Sequence, residues 1–304
     1  MGADFESGII VGYDGSKKAA RALDWAACEA SARNLPLTVL HAWDVPFGGP
    51  MPMPIADLRA MAEETLEEGL RRVREAAPEV PVQGRSEHGQ AASELIGAGR
   101  DAALLVLGPR GLGGFAGLVL GSVGTQVAVH APCPVVIVRG DLRPPEDEGA
   151  GRVVVGVDGS PASRAALAMS FAEAAVHGLS VHAVVAWESV PVKGLPPLAD
   201  EAGMREAAEG RLARLLDPLR RLHPDVVVRA EVVAGPPRDV LLEASATARV
   251  LVVGTRGLGG FRSLLLGSVS RALVEHATCT VAVVPASGRD TGGSKTALPT
   301  SVVG

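Results

Sequence analysis

The chain has 304 residues, 47% of them hydrophobic and 21% charged, with a formal net charge of −5. No apolar run approaches the ~18 residues that a membrane span needs, the segment Met1 to Ser7 is short and acidic rather than a secretory leader, and the charges form no basic stripe. A membrane span and a nucleic-acid surface are therefore not expected, and a soluble cytoplasmic protein is. Three cysteines without a Cys-x-x-Cys spacing argue against a disulfide framework or a zinc site, and Cys133 and Cys279 are expected as small core residues.

In chain order, Ile9 to Tyr13 reads as a strand and Lys17 to Arg33 as a helix with Ala20, Leu23, Ala27 and Ala30 on its apolar face. Leu37 to Trp43 is a second strand. After a Pro- and Met-rich loop, Asp44 to Pro54, a helix is predicted from Ile55 to Ala76. A third strand begins at Val80 to Gln83; Ala91 to Gly99 is a helix, Ala103 to Leu107 a strand, Gly121 to Ala131 a helix, and Val135 to Val138 a fifth strand. Strands alternating with helices predict a parallel sheet covered on both faces, and the unbroken apolar runs Ile9-Ile10-Val11 and Leu104 to Leu107 suit strands buried on both sides.

Residues 152–285 repeat this order. Val11-Gly-Tyr-Asp-Gly-Ser16 returns as Val155-Gly-Val-Asp-Gly-Ser160, and Trp43 returns as Trp187 at the same offset of 144. Gly108-Pro-Arg-Gly111, nine residues, then Gly121-Ser122 returns as Gly254-Thr-Arg-Gly257, nine residues, then Gly267-Ser268, at an offset of 146. Such a repeat means two copies of one domain. The boundary falls in Gly140 to Gly151, rich in proline, glycine and acids, which gives a first domain over 1–140, a linker over 141–151, a second domain over 152–286 and a disordered Gly/Ser/Thr-rich tail over 287–304.

Each copy of the glycine pattern follows an apolar strand and precedes a helix, which is where proteins bind phosphate. In open parallel sheets ligands sit beyond the carboxyl ends of the strands, so if the first and fourth strands are neighbours one crevice collects the aspartate turn and the glycine loop. Gly108 and Gly111 lack a Cβ and would let backbone N–H groups approach a phosphate. Gly121, Ser122 and Val123 open the next helix, whose unpaired N–H groups favour an anion. Asp14 accepts hydrogen bonds only, and suits ribose hydroxyls, a purine amino group or a phosphate-bound metal. Arg110 and Arg256 are placed to neutralise phosphate charge or to point to water. The plain structural alternatives are that the glycines form turns, that Ser122 and Ser268 are helix N-caps, and that Asp14 and Asp158 shape turns with Ser160-Pro161 opening a helix. Gly111-Leu-Gly113-Gly-Phe-Ala116 follows the fourth strand rather than the first and lacks the later acidic residue of a dinucleotide fingerprint, and Gly293 to Thr296 lacks the contiguity of a P-loop.

Together, Gly-x-x-Gly, nine residues, Gly-Ser, with an early Val-Gly-x-Asp-Gly-Ser turn, resemble the universal stress protein family in its ATP-binding form, in two copies that span nearly the whole chain. The resemblance implies tandem doubly wound, Rossmann-like α/β domains, each with a five-stranded parallel sheet in the order 3-2-1-4-5. It implies that adenosine meets Gly12, Asp14 and Ala42, and phosphates meet Gly108, Gly111, Gly121, Ser122 and Val123. In the second copy the matching positions are Gly156, Asp158, Ala186, Gly254, Gly257, Gly267, Ser268 and Val269. It also implies pairing along the last strands, Val135–Val138 and Val281–Val284, as in a family homodimer. Pro109 stands where the second copy has Thr255 and removes an N–H from the first loop, so the two sites need not be equal.

The function expected is reversible binding of ATP, with magnesium, by a regulator of stress or energy state rather than a catalyst, because no general base and no Walker-type lysine accompanies the motif. Two other readings stay open: a slow ATPase, hydrolase or transferase, and a nucleotide-free scaffold with an unknown protein partner. The long loops Asp44–Pro54 and Glu188–Gly203 are expected near the sites, ordering when ligand binds.

Overall fold

In the computed structural model of the chain the described residues are 8–45, 54–112, 120–140, 151–188, 201–258 and 266–286. The interior of both nine-residue spacers, most of the two long loops expected near the sites, the expected linker up to residue 150, and the expected tail lie outside them. The chain divides into two compact units, 1–142 and 143–304.

The first unit runs β1 (Ile9–Gly12), α1 (Lys17–Arg33), β2 (Leu37–Trp43), α2 (Ile55–Ala76), β3 (Val82–His88), α3 (Ala91–Ala98), β4 (Leu104–Leu107), α4 (Ser122–His130) and β5 (Val135–Ile137). Its strands are all parallel and lie in the order β3-β2-β1-β4-β5. Because β1 sits between β2 and β4, its side chains have sheet neighbours on both edges, and Ile9 and Val11 have no exposed surface. Helix α1 packs with α2 and α3 with α4, giving the helical layers of a doubly wound sheet. The buried stripe of α1 is broader than the sequence spacing suggests: Ala19, Ala22, Leu23, Ala26, Ala27 and Ala30 are buried, and only Ala20 of the expected set is not.

Local chemistry sets the ends of α1. The Ser16 hydroxyl caps its start by accepting the Ala19 N–H at 3.1 Å, and Asn34 closes it in the left-handed region at φ 53°. The second unit repeats the solution with Ser160, which accepts the Ser163 N–H at 3.2 Å, Pro161 in the first turn, and Gly178 at φ 64°.

That unit runs β6 (Arg152–Gly156), α5 (Pro161–His177), β7 (Ser180–Trp187), α6 (Glu201–Leu222), β8 (Val228–Ala234), α7 (Pro237–Ser245), β9 (Val250–Gly254), α8 (Ser268–His276) and β10 (Thr280–Val284). The strands are parallel in the order β8-β7-β6-β9-β10. Both units therefore have the order 3-2-1-4-5, and in each the first strand adjoins the fourth. No helix among the described residues is long and apolar enough to cross a membrane. Cys133 and Cys279 are buried, and burial pushes the Cys133 thiol up to about 12, so it is protonated and unreactive at neutral pH.

Candidate nucleotide site

Each unit has a cavity at the carboxyl end of its sheet, above the junction of first and fourth strands. In the first unit it measures about 260 Å³ and is lined by every residue expected there: Gly12, Asp14, Ala42, Gly108, Arg110, Gly111, Gly121, Ser122 and Val123. In the second unit it measures about 370 Å³ and is lined by Gly156, Asp158, Ala186, Gly254, Arg256, Gly257, Gly267, Ser268 and Val269.

The aspartate turn is built by a left-handed glycine, Gly15 at φ 79° and Gly159 at φ 86°, a conformation that side chains with a Cβ rarely adopt. This aims the carboxylate back across the crevice. One oxygen of Asp14 accepts the Ser16 N–H at 3.0 Å and the other accepts the Leu112 N–H at 2.8 Å, a contact spanning 98 residues. Asp158 repeats it with Ser160 at 2.9 Å and Leu258 at 2.8 Å. The aspartate thus fastens the glycine loop to the end of the first strand. Each oxygen has one N–H, which leaves a lone pair for a ligand hydroxyl or amino group.

The geometry revises why the glycines are there. A Cβ at Gly111 or Gly257 would collide with the Asp14 or Asp158 carboxylate. A Cβ at Gly108 would lie 2.9 Å from the Lys18 carbonyl of α1, and one at Gly254 would lie 2.7 Å from the Ala162 carbonyl carbon of α5. These four glycines serve contacts within the protein. Gly121 and Gly267 differ: among the described residues the nearest atoms to an added Cβ are 3.5 Å away, an ordinary contact, and neither backbone is left-handed. They are also the true N-caps, without a side-chain cap bond, while Ser122 and Ser268 are the first helical residues. The N-cap alternative for the two serines is therefore not what the structure contains. Their hydroxyls, and the N–H groups of Ser122, Val123, Gly124 and of Ser268, Val269, Ser270, have no hydrogen-bond partner among the described residues. Three backbone donors and a hydroxyl converge at the positive end of each helix.

The Pro109 difference also takes on another meaning. The Thr255 N–H donates to the Val284 carbonyl of β10 at 2.8 Å, so the donor that Pro109 removes belongs to the sheet side of the loop and not to the cavity. The carbonyls of Pro109 and Thr255 do the same work, accepting the Gly121 and Gly267 N–H groups at 2.8 Å.

The walls carry the residues that sequence reasoning missed. Leu40 of β2 and Ala91 and Leu95 of α3 line the first cavity; Val184 of β7 and Pro237 and Leu241 of α7 line the second. Tyr13 and Ala19 line the first where Val157 and Ser163 line the second. The Ser163 hydroxyl accepts the Gly159 N–H at 3.1 Å and the Asp158 N–H at 3.4 Å, filling the inside of the turn, where the first unit has only the Ala19 methyl group.

Burial works to raise the Asp158 carboxyl, but the hydrogen bonds from Ser160, Ser163 and Leu258 outweigh it and hold the group below the usual aspartate range. A carboxyl held lower in the folded than in the unfolded protein stabilises fully above the unfolded value near 4 and loses that contribution as pH falls through the folded value. Replacing Asp158 with Asn is therefore expected to flatten the acid limb of the second unit's stability below about pH 4, as followed by Trp187 fluorescence. Among the described residues the carboxylates lining the cavities are Asp14 and Asp158, each tied to two backbone N–H groups.

Comparison with known proteins agrees with this architecture. The model of the universal stress protein family matches residues 8–139 and again 149–285. The universal stress protein Rv2005c of Mycobacterium tuberculosis is 34% identical over 288 residues, covering 91% of this chain and 97% of its own length. A relative from Mycolicibacterium smegmatis is 34% identical over 290 residues, with coverage of 92% and 97%. The crystal structure of a universal stress protein from Archaeoglobus fulgidus superposes with a TM-score of 0.68 at 19% identity, covering 93% of this chain and all of that one, a likeness of fold. On its repeated motifs, its fold and these relatives, the chain belongs to the universal stress protein family.

Proposed function

We propose that the chain binds an adenine nucleotide, ATP in the first instance, in each of its two units, and that it acts as a nucleotide-dependent regulator of stress or energy state rather than as a catalyst. The observation that carries this reading is the doubled helix N-terminus: among the described residues, nothing lies closer than 3.5 Å to a Cβ added at Gly121 or Gly267, and the three N–H groups and the serine hydroxyl that follow have no hydrogen-bond partner. Such a set of donors suits a phosphate. The apolar wall of Leu40 and Leu95, or Val184 and Leu241, suits a base, with the spare lone pairs of Asp14 or Asp158 beside it for a ribose. Non-catalytic binding is favoured because the carboxylate that the described residues place in each cavity, Asp14 or Asp158, accepts two backbone N–H groups, which makes it a poor base for activating water. Hydrogen bonds to charged groups contribute roughly 1.5–3 kcal/mol each, enough for a micromolar Kd, about −8 kcal/mol.

The test is to denature freshly purified protein and quantify released adenine nucleotide per chain. About two per chain is expected, falling to about one for Gly121→Ala/Ser122→Ala, which puts a methyl group into the open position at the first helix and removes its hydroxyl. Absence of nucleotide, together with a silent calorimetric titration with ATP and magnesium, would replace this reading with that of a scaffold. Turnover near 1 s⁻¹ that depended on Asp14 or Asp158 would replace it with that of an enzyme.

A further inference from the structure

Two serines that line the second cavity, Ser163 of α5 and Ser270 of α8, are buried, and neither has a free proton to offer a ligand. The Ser163 hydroxyl accepts the Gly159 N–H at 3.1 Å and the Asp158 N–H at 3.4 Å, and it donates to the Ser160 carbonyl at 3.0 Å. A hydroxyl has one proton and two lone pairs, so the capacity of Ser163 is engaged inside the aspartate turn. The Ser270 hydroxyl donates to the Gly254 carbonyl at 2.6 Å, which leaves it only lone pairs, the wrong polarity for a phosphate. Ser268, two residues earlier, is the cavity serine of α8 whose hydroxyl has no partner among the described residues.

These bonds join the three parts of the site. Ser270 ties the first turn of α8 to the end of β9. Ser163 fills the turn that follows β6. Between them the Ser160 hydroxyl, which accepts the Ser163 N–H at 3.2 Å, donates to the Arg256 carbonyl at 3.1 Å, and the Asp158 carboxylate holds the Leu258 N–H. Helix start, glycine loop and aspartate turn are thereby fastened to one another by side chains. A ligand that touches Asp158 and the α8 donors together depends on their spacing. At the matching positions the first unit has Ala19 and Gly124, which carry no hydroxyl to make either bond. That unit has the same strand order and the same aspartate link without them, so the fold does not require the two hydroxyls.

We propose that Ser163 and Ser270 are positioning residues of the second site: they make no hydrogen bond to the phosphates, and they set the aspartate turn and the start of α8 at the spacing at which one nucleotide reaches both. This rests on the nucleotide reading above. A site held in its binding geometry binds with its intrinsic constant, whereas one that visits that geometry part of the time binds more weakly by that fraction. The two hydroxyls thus act on the population of the competent arrangement and add no bond to the ligand.

The second site is read alone in a protein whose first site is blocked by Ser122→Asp, a carboxylate in the first turn of α4, where an acid suits a helix. In it Ser163→Ala and Ser270→Ala, singly and together, are titrated with ATP and with AMP by calorimetry, in conditions where urea unfolding shows the second unit folded. Each single variant is expected to bind ATP about 3-fold more weakly and the double variant about 10-fold, with AMP weakened by the same factor because no phosphate contact is removed. Hydrogen exchange at the Leu258 amide is expected to be faster in the ligand-free double variant than in its parent, and equal to it once ATP saturates the site. Conversely, Ala19→Ser in a protein whose second site is blocked by Ser268→Asp is expected to tighten ATP binding at the first site about 3-fold. A double variant that binds ATP as its parent does would overturn the inference, since the spacing would then hold without the hydroxyls. One that loses affinity for ATP and keeps it for AMP would overturn it too, since the hydroxyls would then touch the phosphate chain. Where the double variant does not fold, Ala19→Ser carries the test, and unchanged affinity there overturns the inference. Each of these results leaves nucleotide binding intact, whereas no binding of any nucleotide to the unmutated chain would overturn both readings.

Discussion

Replacing Asp14 with Ala is expected to release the glycine loop of the first unit from the end of β1, to destabilise that unit by about 1–3 kcal/mol and to lower bound nucleotide from about two to about one per chain. Both carboxylate oxygens are used, one by the Ser16 N–H inside its own turn and the other by the Leu112 N–H across the crevice. Hydrogen bonds to an ionised acceptor are worth more than neutral ones, but the Leu112 amide lies at the surface and can be rehydrated, so the loss stays at the low end of two such bonds. Binding should suffer more than stability, because the link also sets the distance between Asp14 and the donors at α4, on which a ligand touching both depends. Asp14→Asn separates the two roles: its amide oxygen can still accept one N–H, and its NH₂ group cannot accept the other. The Leu112 amide reports the outcome directly. Its hydrogen exchange is expected to become as fast as that of an open loop in Asp14→Ala while the Leu258 amide keeps its protection; unchanged exchange at Leu112 would show that the loop holds its place without the carboxylate.

Much of this arrangement could be read in advance, and the exceptions have physical reasons. The bounds of α1, β2 and α2 are those expected, because Ser16, Asn34 and Pro54 punctuate an otherwise regular pattern. Strand β3 is the opposite case. Val82–His88 contains Gln83, Gly84, Arg85, Ser86 and Glu87, polar residues with no strand signature, and it exists because β2 pairs with it from Leu37↔Val82 to Trp43↔His88 at the edge of the sheet. A backbone ladder, not side-chain pattern, determines that strand, and sequence reasoning found only its approach.

The site divides in the same way. Every expected lining residue is in its cavity, because glycines, an aspartate turn and a helix start are visible as local chemistry. Leu40, Leu95, Val184 and Leu241 could not be singled out, since an apolar residue that lines a cavity looks in sequence like one that fills the core. The carboxylate tie to Leu112 was equally hidden, because a backbone N–H is common to almost every residue and only the fold selects one 98 residues away. Pro109 was legible as a missing donor but not as a donor facing β5 rather than the cavity, a direction that the Thr255 N–H reveals in the other copy.

Two alanine substitutions in one loop of the second unit should have opposite consequences. Gly254→Ala is expected to destabilise that unit by about 3 kcal/mol. The new methyl group would meet the Ala162 carbonyl carbon and Cβ at 2.7 Å and the Ser163 nitrogen at 2.9 Å, and the obstacle is α5 backbone, which cannot rotate aside as a side chain could. Relief requires α5 to move away from β9, and Ser163, which holds the Asp158 turn by two N–H groups, would move with it. Gly267→Ala puts its methyl group 3.5 Å or more from every neighbour among the described residues, at an extended N-cap backbone, so its cost should stay within about 1 kcal/mol. Its effect belongs to the ligand: the methyl group occupies the open place beside the Ser268, Val269 and Ser270 N–H groups, and nucleotide bound to the second unit should fall by about 10-fold or more in affinity. Urea unfolding followed by Trp187 fluorescence, paired with nucleotide titration in a protein whose first site is blocked by Ser122→Asp, a carboxylate at the start of α4, reads both effects. A stable Gly254→Ala protein would mean that α5 is not pressed against the loop. A Gly267→Ala protein that bound nucleotide as before would mean that the space at the start of α8 is not where the phosphates go.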